Sequence, residues 1–483
     1  MTWLERTILD ELVLTALAVA ALVGALWAAG HALLHKRDPR SALVWVTVSL
    51  TLPWVGALAY WILGINRITR RALHLKPPGW RLDIGQALAQ HRTSSAAVPD
   101  GCEGLRELAV LGDRVVHNRL QPGNRVEALE NGEQAYPAML AAIASATSSI
   151  HLSSYIFDGD GAGEPFIQAL RDAAARGVAV RVIVDAMGER YSRCTARQAL
   201  AGSGVDIRLY LPLGKGPFIN LRNHRKLLLV DGREAFSGGM NIRSNHCLQL
   251  VGPEEATRDL HFRLQGPVVA DLQRVFLEDW HFVAGTVPPL DRLFPALERC
   301  GSAVVRAIGD GPDREFRKLE WIVMGALAVA RRQVRIMTPY FVPDRAMVTA
   351  LITAALRGVE VTLLLPAHNN LPFVAWASRA GYWELLKHGV RIFEQGPAFV
   401  HTKLLSVDDC WSLIGSANLD TRSLRLNFEL NLSIYDRAFA AVVADHFDLA
   451  LAAARSITLP EMDGRPLAVK LRDGVARLFS PYL

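Results

Sequence analysis

At 483 residues the chain exceeds one ordinary domain and has room for two or three units, each with its own core. Hydrophobic residues make up 51% and charged residues 21%, more apolar than a typical soluble protein. The net charge of +6 suits an anionic partner, whether nucleic acid, an acidic membrane surface or a phosphorylated substrate. Five cysteines, Cys102, Cys194, Cys247, Cys300 and Cys410, are scattered and form no C-x-x-C pair. That pattern argues against a disulfide framework or a zinc site, and they read as buried, reduced thiols.

The apolar excess lies at the N-terminus. Leu12 to Leu34 runs about 23 residues without Asp, Glu, Lys or Arg, enough to cross a bilayer core as a helix. After a polar turn that includes Lys36, Arg37, Asp38 and Arg40, a second uncharged run from Ala42 to Leu63 carries Trp45, Trp54, Tyr60 and Trp61 as interface anchors. The two predict a transmembrane hairpin, about 12–34 and 42–63, within a membrane anchor over 1–76. Glu5, Asp10 and Glu11 are the wrong charges for the start of a cleaved signal peptide. Arg67, Arg70, Arg71 and Lys76 slightly outweigh the basic residues of the hairpin turn, which favours a cytoplasmic catalytic part held close to anionic headgroups.

Residues 77–105, with Pro77, Pro78 and Pro99, read as a linker. Beyond it a pattern occurs twice. A strand-like run Ile150 to Phe157, a helical stretch Phe166 to Arg176, a turn at Gly177 and a strand Val178 to Asp185 are matched by Val334 to Phe341, Arg345 to Arg357, Gly358 and Val359 to Pro366. The duplication predicts an α/β fold of two similar lobes, sheets flanked by helices, related by a pseudo-twofold axis: a first lobe over 106–295 and a second over 296–483.

Each lobe carries the same motif, H-x-K-x4-D followed by an Asn seventeen positions after the His: His224, Lys226, Asp231 and Asn241, then His401, Lys403, Asp408 and Asn418. On a strand, His and Lys two positions apart share a face. An imidazole beside an ammonium suits phosphodiester chemistry. The Lys and Asn groups surround the phosphate with donors, one imidazole attacks phosphorus, and the other protonates the leaving oxygen. Each histidine needs an acceptor on its other ring nitrogen, and Asp259 in the first lobe and Glu429 in the second are the candidates. Asp231 and Asp408, at the ends of the motif strands, are expected to hold the site together. One such motif alone recurs by chance; two at matching places in a repeat do not. Gly214-Lys215-Gly216 lacks the full phosphate-loop pattern, and the neighbours His246 and Cys247 read as packing, so neither enters the site.

These residues resemble the phospholipase D superfamily from about residue 106 to the C-terminus. Within it, Asn220 to Lys226, Gly238 to Ile242, Pro339 to Pro343, the run Gly415 to Glu429 and the N-terminal hairpin look like the bacterial cardiolipin synthase subfamily. The resemblance implies that the motif histidines are nucleophile and general acid/base, that Lys and Asn bind phosphate with a hydroxyl contact from Ser416, and that the carboxylate after the second motif pairs with that motif's histidine. It implies phosphatidyl transfer between two phosphatidylglycerol molecules through a phosphohistidine, giving cardiolipin and glycerol in a bacterial inner membrane, with no metal or other cofactor. His224 is taken as nucleophile and His401 as acid/base, roles that pseudo-symmetry could exchange. The expected partners are phosphatidylglycerol, other anionic phospholipids and the membrane. A hydrolase releasing phosphatidic acid would use the same residues. A nuclease suits a lipid-side hairpin poorly and no aromatic-basic stripe is present, so no nucleic-acid partner is expected; a non-catalytic scaffold would have no reason to keep both His-Lys pairs. The chain departs from the subfamily pattern at Gly239, where the second lobe has Ser416, at Thr257, often Trp, and between Ile242 and Leu248, which lacks a Tyr.

Overall fold

A computed structural model describes residues 3–36, 38–65, 98–212, 221–313 and 315–480. Most of the expected linker, the basic cluster Arg67 to Lys76 and Gly214-Lys215-Gly216 lie outside the described residues. The chain forms two compact units, 1–74 and 75–483.

In the first unit, a helix Trp3–His35 contains a 26-residue apolar stretch, Asp10–His35. Among the described residues it is the one helix long and apolar enough to cross a membrane. The second apolar run is not one continuous span. It forms a helix Pro39–Thr51 and, after a break at Leu52, a helix Pro53–Ala59 that widens into a π turn over Tyr60–Gly64. Pro53 has no N–H to donate and its ring clashes with the preceding turn, so the helical ladder stops there. The hairpin still closes. Ala28 and Ala32 give the small surface against which Tyr60 packs, and the Tyr60 hydroxyl lies 2.8 Å from His31 Nδ1.

The second unit is built on one continuous mixed sheet with an internal repeat. From its centre outward, the first lobe contributes Gln121–Glu130, Leu260–Gln265, Glu234–Gly238, Leu227–Val230, Ser149–Ser154, Ala179–Asp185 and Asp206–Tyr210. The second contributes Ala303–Asp310, Asn427–Tyr435, Trp411–Gly415, Leu404–Val407, Gln333–Met337, Glu360–Pro366, Arg391–Gln395 and an added edge, Ala454–Ile457. The halves join where Gln121 pairs antiparallel with Val305. The parallel pairs expected from the repeat form with matching registers, Ile150 against Val180 and Val334 against Val361. Their crossover helices, Glu164–Ala175 and Arg345–Leu356, both end at a glycine with left-handed backbone, Gly177 (φ 88°) and Gly358 (φ 87°). There a side chain would strain the turn back to the sheet.

Alternation along the strands builds cores on both faces. Leu227 and Leu229 join Leu404 in a cluster shared by the two lobes and covered by the helix Val268–Ala284, with Trp280 fully buried. Leu228 and Val230 face a core of the first lobe alone, and Leu405 and Val407 its counterpart in the second. Truncating one of these leucines to alanine costs about 2–5 kcal/mol. The shared cluster holds the two lobes as one body, and the site sits where they meet.

The cysteines differ from the sequence expectation. Cys102 and Cys410, 308 positions apart, stand with Cα atoms 5.8 Å apart, within the usual range for a disulfide bridge. Only the tertiary fold brings residues so far apart in the chain together. Cys194, Cys247 and Cys300 are free and half-buried rather than buried.

Candidate active site

The motif residues do not lie on strands. Hydrogen-bonded strand begins at Leu227 and Leu404, and the His-x-Lys triplets form extended lead-ins just before them. Each lead-in is held by the other lobe. The segment Arg222–Asn223 pairs with Asn427–Phe428, and the His224 amide donates to the Phe428 carbonyl at 2.9 Å. Phe399–Val400 pairs with Thr257–Arg258, and the His401 amide donates to the Arg258 carbonyl at 2.7 Å.

This exchange decides which carboxylate meets which histidine. His224 Nδ1 lies 3.1 Å from Glu429 Oε2, and His401 Nδ1 lies 2.7 Å from Asp259 Oδ2. Glu429 therefore does not pair with the histidine of its own lobe; both pairs cross the pseudo-twofold. With Nδ1 occupied, Nε2 is the ring nitrogen left to act.

Both histidines line a cavity of about 760 Å³, together with Asn241 and Asn418. Asn241 Oδ1 accepts from the Ile156 amide at 3.1 Å, which leaves its Nδ2 as donor. Asn418 Nδ2 is engaged by the Ser423 hydroxyl at 3.0 Å. Lys226 and Lys403 are buried beneath the histidines; Lys226 Nζ donates to the His224 carbonyl at 2.7 Å, and Lys403 Nζ to that of His401 at 2.5 Å.

Ser416 is not among the residues that line the cavity. Its hydroxyl is fully buried and donates to Glu429 Oε2 at 2.5 Å, so it orients the carboxylate. The first lobe has Gly239 at that position because Asp259 fills the space: a Cβ there would come within 2.3 Å of Asp259 Oδ2. The two lobes thus reach the same histidine–carboxylate contact by different side chains.

Asp231 and Asp408 lie away from the cavity. Asp231 accepts from the amides of Thr147, Ser148 and Ser149, and Asp408 from those of Arg331, Arg332 and Gln333. Each ties the end of its motif hairpin to the start of the neighbouring strand.

Electrostatics follow from burial beside cations. Burial lowers the His224 pKa, partly opposed by Glu429. Burial, then Lys403, Lys226 and His224, hold His401 well below the usual imidazole range. Burial brings Lys226 down to about 7 and Lys403 to about 8, against the pull of Glu429 and Asp259. Burial thus weakens the hold of both imidazoles and both lysines on their protons.

Several lining residues escaped the sequence reading. His246 faces the cavity 6.2 Å from His401, ring to ring, with Nε2 3.4 Å from the Asn241 amide nitrogen; burial lowers it to about 3. Tyr155 and Tyr340 stand edge-on to His224 and His401. A tyrosine after the first parallel strand in both copies was the available signal. Among the described residues no three His, Cys, Asp or Glu side chains converge as a metal site would require.

The family model for the phospholipase D-like domain of cardiolipin synthase matches residues 139–280 and 323–450, so both lobes carry it. The chain belongs to this phospholipase D-like cardiolipin synthase family. A second model, the phospholipase D-nuclease N-terminal region, matches residues 23–64. Relatives in the family include a cardiolipin synthase of a Geobacillus strain, 32% identical over 93% of this chain and 90% of its own, and cardiolipin synthase A of Pseudomonas aeruginosa, 33% identical over 94% and 93%. A phosphatidylserine synthase from Haemophilus influenzae shares the fold, with a TM-score of 0.63 and 15% identity over 78% of this chain and all of its own. As a member of the family the chain is a phospholipid phosphatidyltransferase.

Proposed function

We propose that the protein transfers a phosphatidyl group from one phosphatidylglycerol to the hydroxyl of a second, forming cardiolipin and releasing glycerol. The observation that carries this is the crossed pair of histidine–carboxylate contacts on one cavity, His224 with Glu429 and His401 with Asp259. Two oriented imidazoles divide a double displacement between them.

In the first step Nε2 of His224 attacks phosphorus, and the bond to the departing glycerol oxygen breaks as His401 gives it a proton. In the second, His401 removes the proton of the incoming lipid hydroxyl, which attacks phosphorus and frees His224. The low pKa of His224 keeps it an unprotonated nucleophile. His401 can act as an acid because a bound phosphodiester anion offsets the cations that depress it. Lys226, Lys403, Asn241 and, once released from Ser423, Asn418 meet the charge on the phosphoryl oxygens. Gln or Asn in place of a carboxylate would leave shape but remove the charge that steadies each imidazolium. The expected partners are phosphatidylglycerol and other anionic lipids, with the hairpin in a bacterial membrane and the N-terminus and catalytic unit on one side of it, which the flanking charges favour as the cytoplasmic side.

Incubating the purified protein with phosphatidylglycerol in mixed micelles and identifying the lipids by mass spectrometry tests this. Cardiolipin with free glycerol is expected. Phosphatidic acid as sole product would make water the acceptor and the protein a hydrolase; no turnover would remove the lipid assignment.

A further inference from the structure

The helix Leu467–Leu478 reverses the usual pattern of a surface helix. Leu467, Leu471, Val475 and Leu478 follow one another at helical spacing and share one face, and they are 72%, 60%, 54% and 76% exposed. The face turned inward carries Asp473 and Ala476, both buried. Ala476 packs with Val342, Val374 and Ala377, and the Asp473 carboxylate accepts from Arg465 and Arg472, each at 2.7 Å. An ordinary surface helix turns its leucines to the core and its charges to water. Here the acid is the packed residue and the leucines face outward.

Two features indicate what this face meets. The first is its borders. By helical geometry Arg472 falls on one edge of the apolar row, and Lys470 and Arg477 fall on the other. Arg472 lies over the Trp376 ring, 4.5 Å from its centroid, and shares Asp473 with Arg465. Arg477 reaches Glu384 at 3.9 Å, a carboxylate that Arg345 also engages, and Lys470 Nζ donates to the Asp463 backbone carbonyl at 2.6 Å. The cations along the helix therefore outnumber the carboxylates they meet. The second feature is continuity with the active site. Phe479, just past the helix, stands edge-on to Phe373 with ring centroids 5.5 Å apart, and both are exposed. Leu371, two positions before Phe373, is exposed as well, and it lines the cavity of His224 and His401 together with Val374. The apolar surface thus runs from the helix to the lip of that cavity.

We propose that the outward face of Leu467–Leu478, continued by Phe479 and Phe373, docks on the surface of an anionic lipid bilayer and turns the mouth of the cavity toward it. Helices of this kind lie in the plane of the interface, with apolar side chains sunk to the boundary between headgroups and acyl chains and basic side chains reaching the phosphates beside them. A lipid can then enter the cavity without its acyl chains crossing water. A second copy of the chain would also cover the leucines, but it would set basic borders against basic borders, which repel; an anionic surface neutralises both edges. The docking is a contact in addition to the apolar helix Asp10–His35, and it concerns how lipid arrives, whichever acceptor takes the phosphatidyl group.

The experiment reconstitutes the full-length protein in vesicles of phosphatidylglycerol and phosphatidylcholine that contain a photoactivatable acyl chain, and maps the labelled peptides by mass spectrometry. Label is expected on 467–479 as well as on 10–35, and not around Leu356, an exposed leucine at the end of the helix Arg345–Leu356. Label confined to 1–74, or equal at Leu356 and on 467–479, would overturn the proposal. So would amine cross-linking through Lys470 that joins two chains, which would make the face an interface between copies. Leu471→Glu alters an exposed side chain, and it should lower the label on 467–479 about tenfold, the partition lost with one leucine. Its rate on phosphatidylglycerol in vesicles should fall by a similar factor relative to its rate on short-chain phosphatidylglycerol dissolved as monomers. An unchanged ratio in a variant that melts like the wild type would also overturn the proposal. The label decides independently of turnover, so failure of the docking and failure of the transfer reaction are read separately.

Discussion

His224 Nδ1 and Glu429 Oε2, 205 positions apart, lie 3.1 Å from each other across the pseudo-twofold axis. Glu429 is fully buried, which by itself would raise its pKa; His224, Lys226 and the Ser416 hydroxyl outweigh this and keep it below the usual glutamate value. It is therefore ionised and favours the protonated imidazole. Glu429→Gln should lower kcat by about 10²- to 10⁴-fold. It should also move the acid limb of the rate profile to lower pH, because burial would then lower His224 without opposition. A shift to higher pH would show that Glu429 does not act on this imidazole.

The two lysines give the site a pH dependence of opposite sense. With Lys226 near 7 and Lys403 near 8, raising the pH from 6 to 9 removes cationic charge before any anion binds. Anion affinity should fall over that range, and binding should draw protons back from solvent. Titration calorimetry with sulfate in two buffers of different ionisation enthalpy should register uptake of about one proton at pH 8 and less at pH 6. Equal uptake at both would mean the lysines are fully charged at rest.

The backbone contacts of Asp231 point to stability rather than chemistry. Its carboxylate accepts three backbone amides, which hold its pKa below the usual value although burial opposes them. Its backbone is left-handed (φ 51°), a conformation asparagine also tolerates, so Asp231→Asn removes charge without adding strain. The loss should be about 1–2 kcal/mol at pH 7, discounted for partial exposure. A depressed carboxylate contributes above its unfolded pKa and stops contributing as pH falls through its folded one. The gap between variant and wild type, read from denaturant melts, should therefore close below about pH 4. A large loss of kcat at unchanged stability would return Asp231 to the reaction.

The Cys102–Cys410 pair reports the compartment of the catalytic unit. In an oxidising compartment the bridge persists, and in the cytosol both remain thiols. Alkylating whole cells under denaturing, non-reducing conditions should label five cysteines per chain if the unit is cytoplasmic, as the flanking charges favour. Three labelled residues, Cys194, Cys247 and Cys300, would reverse that orientation.

What could be read from the sequence was local or repeated. A charge-free run of sufficient length marks an apolar helix by itself, although Pro53 was enough to break the second one. The His-x-Lys pairs and the asparagines seventeen positions on were visible because spacing along a strand and its hairpin survives in both copies. The repeat also located the crossover helices, since a glycine with positive φ ends each.

The remaining contacts come from sheet pairing between distant segments. The lead-ins to the two motifs pair with strands of the opposite lobe, so Asp259 reaches His401 from 142 positions away and Glu429 reaches His224 rather than its neighbour in sequence. The Ser416 hydroxyl turns to Glu429, buried against it, and Gly239 leaves room for Asp259 in the corresponding place. Residue identity and spacing set which chemistry the side chains offer; the pairing of strands from distant segments sets which of them meet.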